Sequence, residues 1–154
     1  MNAIGLNNSN LEQVSNKLNG LLADYQIHYQ NLRTMHWLVK GPNFFELHKA
    51  FESMYLDAAE KVDEIAERIL IIGYQPLHTF SDYLDKSSIT ELQSVGNAGE
   101  LIERVSEDIL QLLKQEREII RLAADASDEG TVAMLTEILP QQEKLLWMLS
   151  AMQN

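Results

Sequence analysis

Apolar residues recur with a helical period over about four heptads, at Leu11, Val14, Leu18, Leu21, Leu22, Tyr25, Tyr29, Leu32 and Val39. No strand-forming segment survives that spacing. Ser9 with Glu12, and Asn10 with Gln13, read as capping boxes for this first helix, and Gly41-Pro42 ends it. Asn43 is placed to cap a second helix, with Glu46 three residues on. Its stripe runs through Leu47, Phe51, Tyr55, Ala58, Ala59, Val62, Ile65, Ala66 and Ile69, and Gly73 is the expected stop. Two long helices joined by so tight a turn must be antiparallel neighbours.

Residues 73–97 break the pattern with Gly73, Pro76, Ser81, Ser87, Ser88, Gly96 and Asn97, and leave room for a short helix around Asp82 to Asp85. A connection this long in a compact domain needs a reason. Topology supplies one: if the next long helix runs parallel to the second, the chain must cross the length of the bundle. Asn97 and Glu100 form a further capping box, followed by Leu101, Val105, Ile109, Leu112, Ile119, Ile120 and Ala123. Residues 124–130 are a polar turn. The last long helix carries Val132, Leu135, Ile138, Leu139, Leu145, Leu146 and Leu149, with Pro140 expected to bend it. The reading is an all-α four-helix bundle with a long crossover, containing a short helix, between helices two and three. That connectivity is the ferritin-like one. It predicts a single domain over residues 1–154, with residues 1–9 as a short N-terminal tail.

The chain has 154 residues, enough for one sizeable core, and a formal charge of −11 from 12 basic and 23 acidic residues. That balance argues against nucleic acid or an anionic membrane as a partner and favours cations. The absence of cysteine excludes disulfides, thiolate metal sites and a cysteine nucleophile. It also fits a cytoplasmic protein. The apolar run at Ile69 to Ile72 is far too short to span a bilayer, and the first ten residues lack the basic and apolar regions of a signal peptide.

The four histidines are His28, His36, His48 and His78. A metal site inside one bundle of this kind uses Glu-x-x-His motifs on two helices, and the sequence contains none. His36 and His48 instead flank the Gly41-Pro42 turn at nearly equal distances, so the antiparallel helices put them at one height. Glu52 lies one turn beyond His48 on the same face, and Asp63 and Glu67 are an i, i+4 pair further along. Asp63 falls within roughly 60° of His48 around the axis but roughly 22 Å along it. One chain cannot bring them to one ion. Two copies of the second helix packed antiparallel about an axis near Tyr55 and Leu56 can, and would build two identical sites. Mixed imidazole and carboxylate ligands suit Fe(II), Zn(II) or Mn(II). The alternative is a solvated face, with Asp63 and Glu67 paired to Lys61 or Arg68. His28 reads as a core or interface residue, and His78 has no evident partner.

The segment from His36 through Trp37, Gly41-Pro42, Phe44, Phe45, His48 and Glu52, followed by Asp63 and Glu67-Arg68, resembles the signature of the Dps family of mini-ferritins. The helix order, the crossover and Trp147 extend the likeness to the whole chain. The resemblance implies a shell of twelve subunits with ferroxidase centres at two-fold interfaces. His36, His48 and Glu52 would come from one subunit, Asp63 and Glu67 from its mate. The family often has Asp at the position of Glu52. The implied reaction is oxidation of Fe(II) to Fe(III), with hydrogen peroxide preferred over oxygen and the ferric product stored as mineral. Zinc is an expected competitor. Trp37 and Tyr55 are candidate redox neighbours, with interface packing as the alternative. By the same resemblance, Asp125, Asp128, Glu129 and Glu137 are candidates for an acidic pore, though Asp128 and Glu129 also suit a helix N-terminus.

DNA binding in this family commonly uses a basic tail. Here the first 17 residues hold one base, Lys17, and one acid, Glu12, and Ala151 to Asn154 carry no base. Little direct DNA binding is expected. A DNA-condensing protein and a structural bundle holding zinc or nothing remain the alternatives to an iron-oxidising store.

Overall fold

A computed structural model describes residues 1–153, the side chain of Asn8 excepted. Its elements, in order, are α1 (Asn8–Leu38), α2 (Phe44–Ile71), α3 (Phe80–Lys86), α4 (Ala98–Asp125) and α5 (Glu129–Gln153), with no strand among the described residues. The four long helices form the predicted bundle, and α3 is the short helix of the crossover. No helix among the described residues is long and apolar enough to cross a membrane.

The caps show where local sequence decides the ends. The Asn97 side chain accepts from Glu100 N at 3.1 Å, and the Glu100 carboxylate accepts from Asn97 N at 2.9 Å, so the α4 capping box forms as read. At α1 the cap is Asn7, accepting from Ser9 N, rather than Ser9 or Asn10; the helix starts before the two boxes read from the sequence. Asn43 occupies the N-cap of α2 without making a side-chain bond. Helix α5 continues through Pro140.

The α1 stripe becomes the centre of the core: Leu11, Val14, Leu18, Leu21, Leu22 and Leu32 are fully buried, facing Phe51, Ile65 and Ile69 of α2 and Val105, Leu112 and Ile119 of α4. Polar residues on that same helix guide the crossover. Asn19 bonds the main chain at Gln75 and Leu77, and Asn31 bonds Thr90 O and Leu92 N, both at 2.9 Å. Between them the buried Asp24 accepts from Ser88 N at 2.6 Å and from the Ser87 and Ser88 hydroxyls. The contacts advance along both chains together, so the crossover runs parallel to α1. Tyr25 meets Glu116 and His28 meets Asp108, while Tyr29 meets Tyr55 and His36 meets His48; the partner numbers fall as α1 advances, so α4 and α2 are both antiparallel to α1 and parallel to each other. This is the topology that the long connection required.

At the far end of α2, Arg68 ties the bundle shut. Its guanidinium pairs with Asp128 and donates from Nε to Thr131 Oγ1 at 2.9 Å, while Asp128 caps α5 through Thr131 N at 3.1 Å. A Cβ on Gly130 would sit 2.6 Å from Arg68 Nη2 and 2.8 Å from Cζ. Ala should gain roughly 0.8–1 kcal/mol of helix propensity there. Displacing the guanidinium from a buried carboxylate costs more, roughly 3 kcal/mol. Gly130→Ala is therefore expected to lower stability by about 2 kcal/mol. In a thermal melt, adding Gly130→Ala to Arg68→Ala should cost nothing further; a full additive loss would contradict the clamp.

Candidate metal centre

The turn between α1 and α2 brings His36 and His48 together with their rings stacked, centroids 3.7 Å apart and planes 14° from parallel. The two rings are locked reciprocally. His36 Nδ1 donates to the His48 main-chain oxygen at 2.6 Å, and His48 Nδ1 donates to that of His36 at 2.7 Å. A carbonyl only accepts, so each Nδ1 carries a proton, and each Nε2 of the neutral ring keeps its lone pair. Neither Nε2 has a hydrogen-bond partner among the described residues. This is the orientation a metal-ligating histidine needs. Both anchoring carbonyls sit near helix ends, His36 O in the last turn of α1 and His48 O in the early turns of α2. The packing holds the pair further. Phe44 stacks on the outer side of His48 at 5.0 Å, and Tyr55 presents its ring edge-on to His36 at 5.3 Å.

Glu52 lies exposed one turn beyond His48. Asp63 and Glu67 are exposed as well, and the basic residues that could have neutralised them are engaged elsewhere: Lys61 pairs with Asp57, and Arg68 with Asp128. The solvated ion-pair reading of Asp63 and Glu67 therefore loses its partners. Within one chain no group of three or more His, Asp or Glu converges among the described residues. That matches the roughly 22 Å rise between His48 and Asp63. Leu56, midway between them, is 56% exposed, an apolar side chain at the centre of an otherwise acidic helix face.

Residues 15–154 match the model of the ferritin-like domain. A DNA protection during starvation protein of Porphyromonas gingivalis is 42% identical over 147 residues, covering 96% of this chain and 92% of that one. DNA protection during starvation protein 2 of Bacillus anthracis is 39% identical, covering 93% of this chain and 98% of its own length. The crystal structure of a Dps protein from Vibrio cholerae O1, described as a member of a broad superfamily of ferritin-like diiron-carboxylate proteins, superposes with a TM-score of 0.98. It is 41% identical and covers 100% of this chain and 97% of that one. The chain belongs to the Dps family. The all-helical fold and the crossover helix agree with that membership.

Not every residue assigned from the resemblance is placed alike in this Dps chain. Trp37 is 59% exposed, with the Arg33 guanidinium 5.8 Å from its ring centroid and 4.3 Å from that of Tyr29. The four pore candidates separate. Asp125 and Glu129 are exposed on either side of the α4–α5 turn. Glu137 is exposed two turns into α5, lining a groove with Asp57, Glu60 and Glu64 of α2. Asp128 leaves the group: its side chain is fully buried against Arg68 and Thr131 and caps α5, the helix-end role that was its alternative. His28 is a core residue, buried beside Asp108, which also holds Arg104 Nε at 2.9 Å.

The sequence reading missed a polar cluster at the centre of the bundle. Tyr25 Oη donates to Glu116 Oε1 at 2.6 Å and accepts from Gln142 Nε2, so α1, α4 and α5 meet there. Glu116 Oε2 and Gln142 Oε1 are buried without partners. Burial pushes the Glu116 carboxyl up from its ordinary value, and burial beside Glu116 pushes the Tyr25 phenol up as well.

Proposed function

We propose that this protein is a ferroxidase and iron store: it binds Fe(II) at sites shared across a two-fold interface, oxidises it to Fe(III), and retains the ferric product inside a hollow shell. The observation that carries the reading is the reciprocal lock of His36 and His48. It leaves two fixed Nε2 lone pairs, on the buried His36 and the half-buried His48, and a lone chain supplies too few carboxylates to complete a centre there. Asp63 and Glu67, exposed and without an ion-pair partner among the described residues, are the complement expected from a partner subunit, and the exposed Leu56 fits burial at the axis between two such helices. Glu52 would add a carboxylate from the histidine side. The whole of residues 1–154 would act as one ferritin-like domain, in a dodecamer, in the cytoplasm.

The chemistry follows from the donor set. Imidazole nitrogens with carboxylate oxygens bind Fe(II) and stabilise Fe(III) more as charge builds, which favours loss of an electron. With hydrogen peroxide as oxidant, two Fe(II) and two protons give two Fe(III) and two waters; oxygen is the slower alternative. Zinc fits the same ligands and would compete. Tyr55, edge-on to His36, and the exposed Trp37 would be the side chains oxidised when iron supplies one electron only, with interface packing as their alternative role. Asp125 and Glu129, at the α4–α5 turn, would draw Fe(II) inward, and Glu137 with the groove carboxylates would receive it. With a net charge of −11, the chain would protect DNA by removing iron and peroxide rather than by binding it.

The test is an anaerobic Fe(II) load followed by one dose of peroxide, comparing wild type with Asp63→Ala. Rapid oxidation by wild type and a loss of about a hundredfold in the variant are expected. Equal rates would remove Asp63 from the centre. No oxidation by either would return the protein to a structural bundle, with its histidines holding zinc or nothing.

A further inference from the structure

Two grooves of the bundle differ in charge: carboxylates outnumber lysine in one, and lysines outnumber carboxylates in the other. Between α2 and α5 the groove is lined by Asp57, Glu60, Glu64 and Glu137. On the opposite face, a pocket of about 390 Å3 opens between α1, the end of α3 and α4, and there Lys17, Lys86 and Lys114 converge. These are three of only seven lysines in a chain of net charge −11. Each comes from a different helix. Lys17 pairs with Glu118 at 2.9 Å, whereas Lys86 and Lys114 have no ion-pair partner among the described residues. Two carboxylates border the pocket: Glu118, which is paired with Lys17, and the buried Asp24, whose oxygens accept from Ser87, Ser88, Ile89 and Gln115.

Gly20 is the second observation. It lies in the middle of α1, where glycine costs roughly 1 kcal/mol against alanine. A Cβ there would meet only Gln115 Oε1 at 3.8 Å and Lys86 Cε at 3.9 Å, which are ordinary contacts. Helix packing does not demand the glycine. It borders the pocket, and a larger side chain would fill the space over which the Lys86 stem lies.

We propose that this pocket binds a small phosphorylated polyol, with its phosphate held by the ammonium groups of Lys86 and Lys114. Lysines act as point charges suited to a tetrahedral dianion; the pocket has no arginine fork for a planar carboxylate. The remaining wall of Asn16, Gln111, Gln115 and Ser88 offers hydroxyl and amide groups and no aromatic face, which matches a polyol body rather than a base. The volume lies within the usual range for small-molecule sites. A DNA duplex fits less well, because only one phosphate can enter the concavity while its neighbours face a strongly acidic chain. The site does not depend on the iron chemistry.

Calorimetric titration of the intact assembly, at low salt and without iron, tests it with inorganic phosphate, ribose 5-phosphate and a duplex oligonucleotide as separate probes. Saturable binding is expected for both small probes, tighter for ribose 5-phosphate. The Lys86→Ala/Lys114→Ala variant should bind at least about tenfold more weakly. Gly20→Leu should do the same while keeping the charges, and Lys40→Ala/Lys144→Ala should match wild type. Melting curves establish that each variant is folded. The proposal is overturned by an absence of saturable binding in wild type, or by equal losses in the two lysine pairs. Duplex binding that phosphate does not compete away would likewise overturn it, in favour of a nucleic-acid face.

Discussion

Mixing His36→Ala subunits with Asp63→Ala subunits is expected to restore iron oxidation that neither variant shows alone. Each variant by itself carries one lesion in every site and should lose roughly a hundredfold or more in initial rate. In a mixed two-fold pair the lesions segregate. One site combines the altered histidine of one subunit with the altered aspartate of the other. The second site combines His36 from the Asp63→Ala subunit with Asp63 from the His36→Ala subunit, and is intact. Random pairing makes half of all pairs mixed, so about a quarter of the sites are rebuilt. Equimolar variants unfolded together and refolded should therefore recover about a quarter of the wild-type rate. A centre contained in one chain could recover nothing, because no subunit in the mixture would hold both residues. Recovery near zero with correctly assembled protein would overturn the shared site and leave the assembly itself untouched.

The logic of that experiment was legible in the sequence because spacing along a helix is a ruler. Fifteen residues between His48 and Asp63 set both their common face and their separation. The Gly41-Pro42 turn fixed His36 opposite His48. What the sequence did not disclose was how the rings are held. Each Nδ1 bonds a main-chain carbonyl, and no side-chain pattern encodes that partner. Phe44 stacks on His48, yet it reads in the sequence as an ordinary apolar residue after a turn.

A second class of residue was hidden for a different reason. Asn19, Asp24 and Asn31 interrupt the α1 stripe and look like its polar edge, but their crossover partners lie 56 to 65 residues away, and Asp24 also accepts from Gln115 of α4. Asp128 reads in the sequence as a pore or helix-end acid in a polar turn, and only its pairing with Arg68, 60 residues earlier, places it in the core. Periodicity identifies the buried face. It cannot separate a polar residue that interrupts that face from one that is satisfied inside it, because the answer rests on a distant segment.

The buried Tyr25–Glu116–Gln142 cluster is the most consequential of these, and its two removals should act in opposite directions. Glu116 is fully buried, and its carboxyl is raised above the ordinary 4.5 chiefly by desolvation, against the opposing pull of Tyr25, Gln142, Lys61 and Arg117. The folded protein therefore holds the Glu116 proton more tightly than the unfolded chain does. The stability from that proton is fully present below pH 4.5 and is lost as pH rises through the elevated folded value. Glu116→Gln cannot titrate, and it brings an amide N–H group to the end of the side chain where Oε2 has no donor. It should match wild type in acid and exceed it at neutral pH, so that the difference between the two stability curves opens with rising pH. Other carboxylates cancel in that difference. Tyr25→Phe does the reverse: it removes the donor to Glu116 Oε1 and the acceptor of Gln142 Nε2, leaving two more buried polar atoms unpaired. At roughly 1–3 kcal/mol for each, a loss of about 3 kcal/mol is expected, or roughly 6–12 °C in melting temperature for a chain of this length. Chemical denaturation of matched assemblies across pH 4 to 8 reads both effects. A Glu116→Gln curve parallel to wild type would show that Glu116 does not titrate differently on folding. A Tyr25→Phe protein as stable as wild type would show that the cluster contributes no net stability, whatever its hydrogen bonds.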